Sequence, residues 1–386
     1  MIEKFGPGAI IHEWIATSGG SENVFQAMAE IFPDADLHCL WNDDLGRFGA
    51  RPVHETWIAN SRLRNSKALS LPFMPYTWRR LAARRSYDWM LVSSHLFAHH
   101  ARFRNQVDVP KFVYVHTPAR YIWVPQLDAR GQSLPVRAVS HGFKALDVRR
   151  AREATEVAAN SEFIRSRIAD AWGRDAKVIY PPVEVERIQA EKDWKSKLRD
   201  QELATFESLP QDFILGASRF VAYKGLDKVI EVGSLLKLPV VLAGAGPQEG
   251  YLRALAEEAD VPVFFVSRPS TELLYTLYQE CALYVFPPIE DFGIMPVEAM
   301  AAGARVLANC VGGASESVIE GSTGALSPFL GASDTLQAAT TALNGKRDAS
   351  MSRALFFSRG RFDSEIRSWI VPNQEPATGF LESEVS

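Results

Sequence analysis

Short apolar runs alternate with amphipathic stretches along this chain, the pattern of strands feeding helices. Ala9-Ile-Ile-His12, Trp89-Met-Leu-Val92, Lys111-Phe-Val-Tyr-Val115 and Glu156-Val-Ala-Ala159 read as strands of one sheet. Phe213-Ile-Leu215, Pro239-Val-Val-Leu242, Val263-Phe-Phe-Val266, Ala282-Leu-Tyr-Val-Phe286 and Arg305-Val-Leu-Ala308 read as strands of a second. Helical faces such as Val24, Phe25, Met28 and Ile31 lie between them. This alternation predicts an α/β protein with doubly wound, Rossmann-like sheets. A chain of 386 residues exceeds the usual size of one hydrophobic core, so two domains are expected. Charged sequence from Glu184 to about Pro210 predicts a linker over 184–210, dividing a first domain, 1–183, from a second, 211–355. Aromatic and apolar residues at helical intervals from Phe356 to Ile370 predict a terminal helix within 356–386. Open α/β sheets bind ligands at the carboxyl ends of their strands, which puts the site in a cleft between the domains.

Three loops carry candidate chemistry. Glu290-Asp-Phe-Gly-Ile-Met-Pro-Val-Glu298 joins a strand to a helix that has Pro296 in its first turn and Gly303 at its end. Backbone N–H groups near Phe292, Gly293 and Ile294 at that helix start suit an anion such as phosphate. Glu290 and Glu298 can then contact hydroxyl groups beside it, although the same spacing also describes a capped helix whose carboxylates complement its dipole. Ser218-Arg-Phe-Val-Ala-Tyr-Lys-Gly225 places Arg219 and Lys224 in one loop between strand and helix, where two cations can hold a diphosphate. Val240-Val-Leu-Ala-Gly-Ala-Gly-Pro247 ends in a glycine-rich turn, a weak dinucleotide signal because its third glycine is misplaced. His95, His99 and His100 have no interleaved acid and read as loop or surface residues, not a metal cluster.

Together with Ser18-Gly-Gly-Ser-Glu22, these segments resemble the retaining glycosyltransferases of family 4, which have the GT-B fold of two Rossmann-like domains facing a cleft. The carboxyl half carries the R…K-G loop, the G-x-G-P turn, the E-x7-E segment and Val311-Gly-Gly313 of that family's donor domain. Tyr114-Val-His-Thr-Pro-Ala-Arg-Tyr-Ile-Trp123, Ala159-Asn-Ser-Glu-Phe163 and Val178-Ile-Tyr-Pro-Pro-Val183 resemble elements of bacterial O-antigen mannosyltransferases. Glu13 stands where the related H-D-W element has aspartate, and Ser267 where the family often has glycine.

The resemblance implies transfer of a hexose, mannose from GDP-mannose first, with retention of configuration and no bound metal or other cofactor. It casts Arg219, Lys224, His116 and Glu290 as catalytic. Gly19, Gly20, Ser267, Arg268, Asp291, Phe292, Gly293, Ile294 and Glu298 become donor-binding, with the base near Val266–Pro269. It also implies that the terminal helix packs back on the first domain. The expected acceptor is a lipid-linked or other oligosaccharide of a surface polysaccharide. A UDP-hexose-dependent transferase, a GT-B sugar-nucleotide epimerase and a glycan-binding protein remain alternatives.

Composition is that of an ordinary globular protein, 47% hydrophobic and 23% charged, and a net charge of −4 gives no pull toward nucleic acid. Cys39, Cys281 and Cys310 are scattered and odd in number, so they read as buried thiols of a reducing compartment. The amino terminus lacks a signal peptide's apolar core, and no apolar run approaches a membrane span, which points to the cytoplasm. Residues 60–87 carry Arg62, Arg64, Lys67, Arg79, Arg80, Arg84 and Arg85 with no acid, interleaved with Phe73, Met74, Tyr76 and Trp78. That asymmetry calls for a partner, either acids elsewhere in the fold or the anionic inner face of a membrane.

Overall fold

The computed structural model of the protein describes residues 6–123 and 134–370; the terminus Met1–Phe5 and residues 371–386 of the expected terminal helix lie outside them. The first sheet contains β1 (Gly8–His12), β2 (Asp36–Cys39), β3 (Val53–Glu55), β4 (Trp89–Ser94), β5 (Lys111–Val115), β6 (Glu156–Ala159) and β7 (Lys177–Val178). The second contains β8 (Ile214–Ala217), β9 (Val240–Gly244), β10 (Val263–Ser267), β11 (Leu283–Phe286), β12 (Val306–Asn309) and β13 (Gly324–Ser327). Strand order is β3-β2-β1-β4-β5-β6-β7 in one and β10-β9-β8-β11-β12-β13 in the other, with parallel pairing throughout. The expected doubly wound architecture is therefore present in both halves.

Register brings the functional loops level. His12 pairs with Ser93, and Ser94 with Val115, which pairs in turn with Ala159. The loops that follow β1, β4, β5 and β6 thus leave the first sheet along one edge. In the second sheet Ala217 pairs with Ala243 and Phe286 with Ala308, so the Arg219, Gly244, Glu290 and Gly312 loops also leave together.

The helix Arg359–Ile370 buries Phe362, Ile366, Trp369 and Ile370 among Phe25, Phe112 and Tyr114 of the first domain. Trp369 lies 5.4 Å from the Phe112 ring and its indole donates to Glu156 at 2.7 Å. The chain therefore passes between the domains twice. The two passages touch, because the Val183 amide donates to the Phe357 carbonyl at 3.0 Å. Residues 184–210 are not a spacer of charge alone: helices Val185–Ala190 and Asp200–Glu207 form there, and Val185, Ile188 and Trp194 are buried in the second domain's core.

Several sequence expectations are corrected. His99 and His100 are fully buried, not superficial, and they do have an acid. Asp147, distant in sequence, sits 3.0 Å from His99 Nε2 and 3.1 Å from His100 Nε2, and accepts the indole hydrogens of Trp172 at 2.7 Å and Trp123 at 2.8 Å. Burial alone would raise the Asp147 carboxyl, but the two histidines outweigh it and hold it below the usual carboxylate range. With both oxygens engaged, this is a structural knot that ties the Trp123 segment to the sheet. Cys39 and Cys281 are buried as expected, whereas Cys310 is exposed. Within the basic segment, Arg64 pairs with Asp43 at 2.7 Å, Arg79 with Glu153 at 2.5 Å and Arg85 with Asp36 at 3.1 Å, so much of the local charge is balanced internally. Among the described residues no helix is long and apolar enough to cross a membrane.

The docking of the terminal helix predicts a large effect from one side chain. Trp369→Ala should cost about 3–5 kcal/mol, the scale for removing a buried aromatic, seen as a lower denaturation midpoint. A midpoint unchanged from wild type would mean that the helix contributes nothing to the first domain's stability.

Candidate functional site

The two sets of loops meet around a cavity of about 540 Å³. From the first domain it is lined by Trp14, Gly20, Ser21, Val24, His95, Leu96, His116, Thr117, Arg120 and Asn160. From the second come Arg219, Tyr223, Lys224 and the run Ile289 to Met295. Of the residues expected from sequence, His116, Arg219, Lys224, Glu290, Gly20, Asp291, Phe292, Gly293 and Ile294 are brought together here. Gly19, Ser267, Arg268 and Glu298 do not line this cavity.

Each cation is placed by local structure. Lys224 ends a short helical turn after β8, its stem buried and its ammonium 5.9 Å from the centre of the Phe286 ring. That ammonium bonds to the Glu290 carboxylate, so the two charges neutralise each other. Arg219 is more open and donates to the Tyr223 hydroxyl at 2.8 Å. Across from them begins the helix Ile294–Ala301, which has no side-chain cap. Its first N–H groups therefore remain available to an anion. Gly293, with φ 92°, supplies the left-handed turn into it. The Glu290 loop is braced by Gly313, whose amide donates to the Glu290 carbonyl at 2.8 Å. A Cβ at Gly313 would come within 2.3 Å of the Asp291 carbonyl oxygen, so only glycine fits there.

Asp291 is put to a use that the sequence reading did not foresee. Its carboxylate is gripped by Arg120 and, at 3.1 Å, by Arg167, both from the first domain. Ser161 Oγ donates to its carbonyl at 2.5 Å. Burial raises the Asp291 carboxyl above its ordinary value even against the pull of the two guanidinium groups. Beside it, the Glu316 carboxylate accepts the Glu162 and Phe163 amides at 2.8 and 2.9 Å, capping the helix Glu162–Trp172 from the other domain. Arg120, Ser161, Arg167 and Glu316 were not singled out from sequence. Arg120 and Ser161 lie inside the His116–Trp123 and Asn160-Ser161 elements, just past strand ends, and that position was the available signal.

The first domain's wall is built from imidazoles. His116 Nε2 lies 2.8 Å from Ser93 Oγ, which lies 3.0 Å from Nδ1 of the fully buried His12. Burial, with His12 and His95 adding to it, pushes His116 well below the ordinary histidine value. Burial likewise pushes His12 down to about 4. Both rings are therefore neutral at neutral pH and offer hydrogen bonds rather than charge.

Glu298 lies one helical turn from the cavity, beside Tyr275, in surroundings that push its carboxyl up to about 7, burial raising it and the Tyr275 hydrogen bond opposing. Ser267 and Arg268 are exposed at the end of β10, where Ser267 pairs with Gly244 of the glycine-rich turn.

Comparison with known proteins agrees with this geometry. Residues 18–187 match the family described as Glycosyltransferase Family 4, and residues 201–353 match Glycosyl transferases group 1. O-antigen chain mannosyltransferase C of Escherichia coli is 35% identical over 117 residues, 29% of this chain and 31% of that protein. A GDP-mannose-dependent alpha-(1-6)-phosphatidylinositol monomannoside mannosyltransferase of Mycobacterium tuberculosis is 29% identical over 195 residues, 46% of this chain and 50% of that protein. The chain thus spans half or less of the length of these relatives. A crystal structure of Anabaena HepE in complex with UDP and glucose matches with a TM-score of 0.66 at 18% identity, covering 95% of this chain and 100% of that one, a likeness of fold. With both halves matched and two parallel sheets facing one cavity, the chain belongs to the group 1/family 4 glycosyltransferases of the GT-B fold.

Proposed function

We propose that the protein moves a hexose, mannose from GDP-mannose, with retention of configuration to a lipid-linked or other oligosaccharide acceptor. One observation carries the reading: Lys224 and Arg219 converge with an uncapped helix start on a cavity whose opposite wall holds His116. In this reading the diphosphate takes the Lys224 ammonium from Glu290 and is held by Arg219 and the Gly293–Ile294 amides. Both cations face the charge that grows on the departing phosphate, where preorganised donors act most strongly. Glu290, released from its pair, accepts hydrogen bonds from the hexose. Neutral His116 bonds a sugar hydroxyl from the facing domain, and Gly20 leaves room at the start of the helix Gly20–Ile31. Glu298 takes the ribose hydroxyls, and Ser267 and Arg268 border the base. Mannose rests on the His116–Trp123 element and on the distant mannosyltransferase relatives; the UDP bound to Anabaena HepE supports a UDP-hexose as the alternative.

The donor is tested by incubating the protein with GDP-mannose or UDP-glucose and following nucleotide release with and without acceptor. GDP release stimulated by acceptor is expected; interconversion of sugar nucleotides without transfer would instead identify an epimerase. Lys224→Ala should lower transfer about 10²–10³-fold, the scale for losing one preorganised charge-stabilising donor, and turnover near wild type would remove Lys224 from the mechanism.

Glu298 adds a pH dependence. Its raised pKa keeps the carboxyl largely protonated below about pH 7, and the carboxylate accepts ribose hydrogen bonds more strongly than the neutral acid does. GDP affinity should therefore fall as pH drops from 8 to 6. Glu298→Gln should weaken binding at pH 8 by about 1.5–3 kcal/mol, the range for a charged hydrogen bond, and flatten that dependence relative to wild type. Calorimetry at both pH values decides it, and identical profiles for the two proteins would leave Glu298 without a ribose contact.

For the acceptor, Leu69, Phe73 and Tyr76 are exposed on the basic segment, with exposed Trp57 just before it, and Arg80 stacks on the Tyr76 ring at 4.3 Å. Aromatic and cationic groups together suit an anionic headgroup layer. The protein should co-sediment with phosphatidylglycerol vesicles at low salt and be released as ionic strength rises. Failure to bind them at low salt favours a soluble acceptor.

A further inference from the structure

The first-domain wall of the cavity contains a second organised group, built on Glu13 and His95. Glu13 is fully buried just after β1. Its carboxylate accepts the amides of Ala98 at 2.7 Å, Leu96 at 2.8 Å and His95 at 3.2 Å, and so sets the turn that leaves β4. A buried carboxylate is costly unless bonded in this way. What the turn presents is the imidazole of His95.

That imidazole is oriented as well as anchored. His95 Nδ1 is buried without a hydrogen-bond partner of its own and faces Glu13 Oε2 at 3.5 Å. The carboxylate favours a proton on that nitrogen, which leaves Nε2 as the acceptor. About a fifth of the side chain is exposed, and the residue lines the cavity, so the free edge of the ring is the Nε2 edge. The Trp14 ring meets it edge-on at 4.7 Å. Trp14 is itself fixed, stacked on Trp41 at 5.2 Å and covered by the Lys67 ammonium at 4.2 Å. His12, Glu13 and His95 also each offer a ligand atom within 4.8 Å of the others, but the Glu13 oxygens are already engaged by backbone amides, which disfavours a metal ion there.

We propose that His95 Nε2, held by Glu13, accepts a hydrogen bond from a hydroxyl of the acceptor's hexose, making Trp14, His95 and Leu96 the acceptor subsite. The inference rests on the glycosyltransferase reading but not on the identity of the nucleotide. A fixed imidazole nitrogen, held by Glu13 on the wall opposite the cations, suits an alcohol O–H rather than an anion. Glu13 is then a positioning residue.

The test measures binding of methyl α-D-mannoside and methyl α-D-glucoside by saturation-transfer NMR, with GDP or UDP present. Affinity for GDP and GDP-mannose is measured separately. In wild type at least one methyl hexoside should bind beside the nucleotide. His95→Ala should weaken it at least tenfold while changing GDP and GDP-mannose affinity less than twofold. Glu13→Gln, which keeps shape and some of the amide bonds, should weaken the hexoside in the same direction. If neither hexoside binds wild type at tens of millimolar, or His95→Ala leaves hexoside binding intact, the subsite is wrong. If His95→Ala removes the gain of GDP-mannose over GDP, His95 serves the donor sugar and the acceptor assignment fails. Failure of both GDP and UDP to bind wild type would count against the function proposed above instead.

Discussion

The cleft owes its shape to a carboxylate that belongs to one domain and is satisfied by the other. Asp291 follows Glu290 in the loop that faces the proposed phosphate site, yet its oxygens go to Arg120 and Arg167 across the gap. With two guanidinium partners, the half-buried Asp291 carboxylate keeps a cation even if one of them is lost. Glu316 repeats the arrangement on the helix that begins at Glu162. The Glu290 loop, the uncapped helix start and the His116 element thus hold their mutual distances through contacts between domains, not through the stiffness of either alone.

Within that frame, charge is distributed unevenly. Cations lie on the second domain's side, at Arg219 and Lys224. The first domain contributes Arg120, already spent on Asp291, and imidazoles kept neutral by burial. In the proposed reading this polarity separates two tasks: one wall answers an anion, the other hydroxyl groups. The Lys224–Glu290 pair balances one cation of the second domain's wall with a carboxylate of the same loop cluster.

Much of the fold was legible because the central strands of parallel sheets are buried on both faces and read as continuous apolar runs. β1, β4, β5, β6 and β8 to β12 all stood out in this way. The others did not: β2 is Asp-Leu-His-Cys, β3 and β7 are two or three residues long at an edge, and β13 begins with glycine. Arg219, Lys224 and the Glu290–Ile294 run were legible as cavity-lining residues because a strand–loop–helix junction is a local feature. Residues whose meaning depends on the facing domain were not: nothing near Asp291 in sequence announces Arg167, and nothing near His100 announces Asp147. Glu13 was noticed only as a departure from aspartate, while its work, organising the His95 turn, is visible only in three dimensions. The basic run at 60–87 looked unbalanced because its acids, Asp36, Asp43 and Glu153, lie outside it in sequence.

The paired crossings at Val183 and Phe357 have a mechanical consequence. Two strands of chain bonded side by side behave as a strap hinge, which bends readily about one line but resists twisting. If the cleft opens, the walls should therefore separate like the covers of a book, not shear past one another. Opening would part the Asp291 and Glu316 contacts in concert, and reclosure would return each group to its original partner without a search over registers.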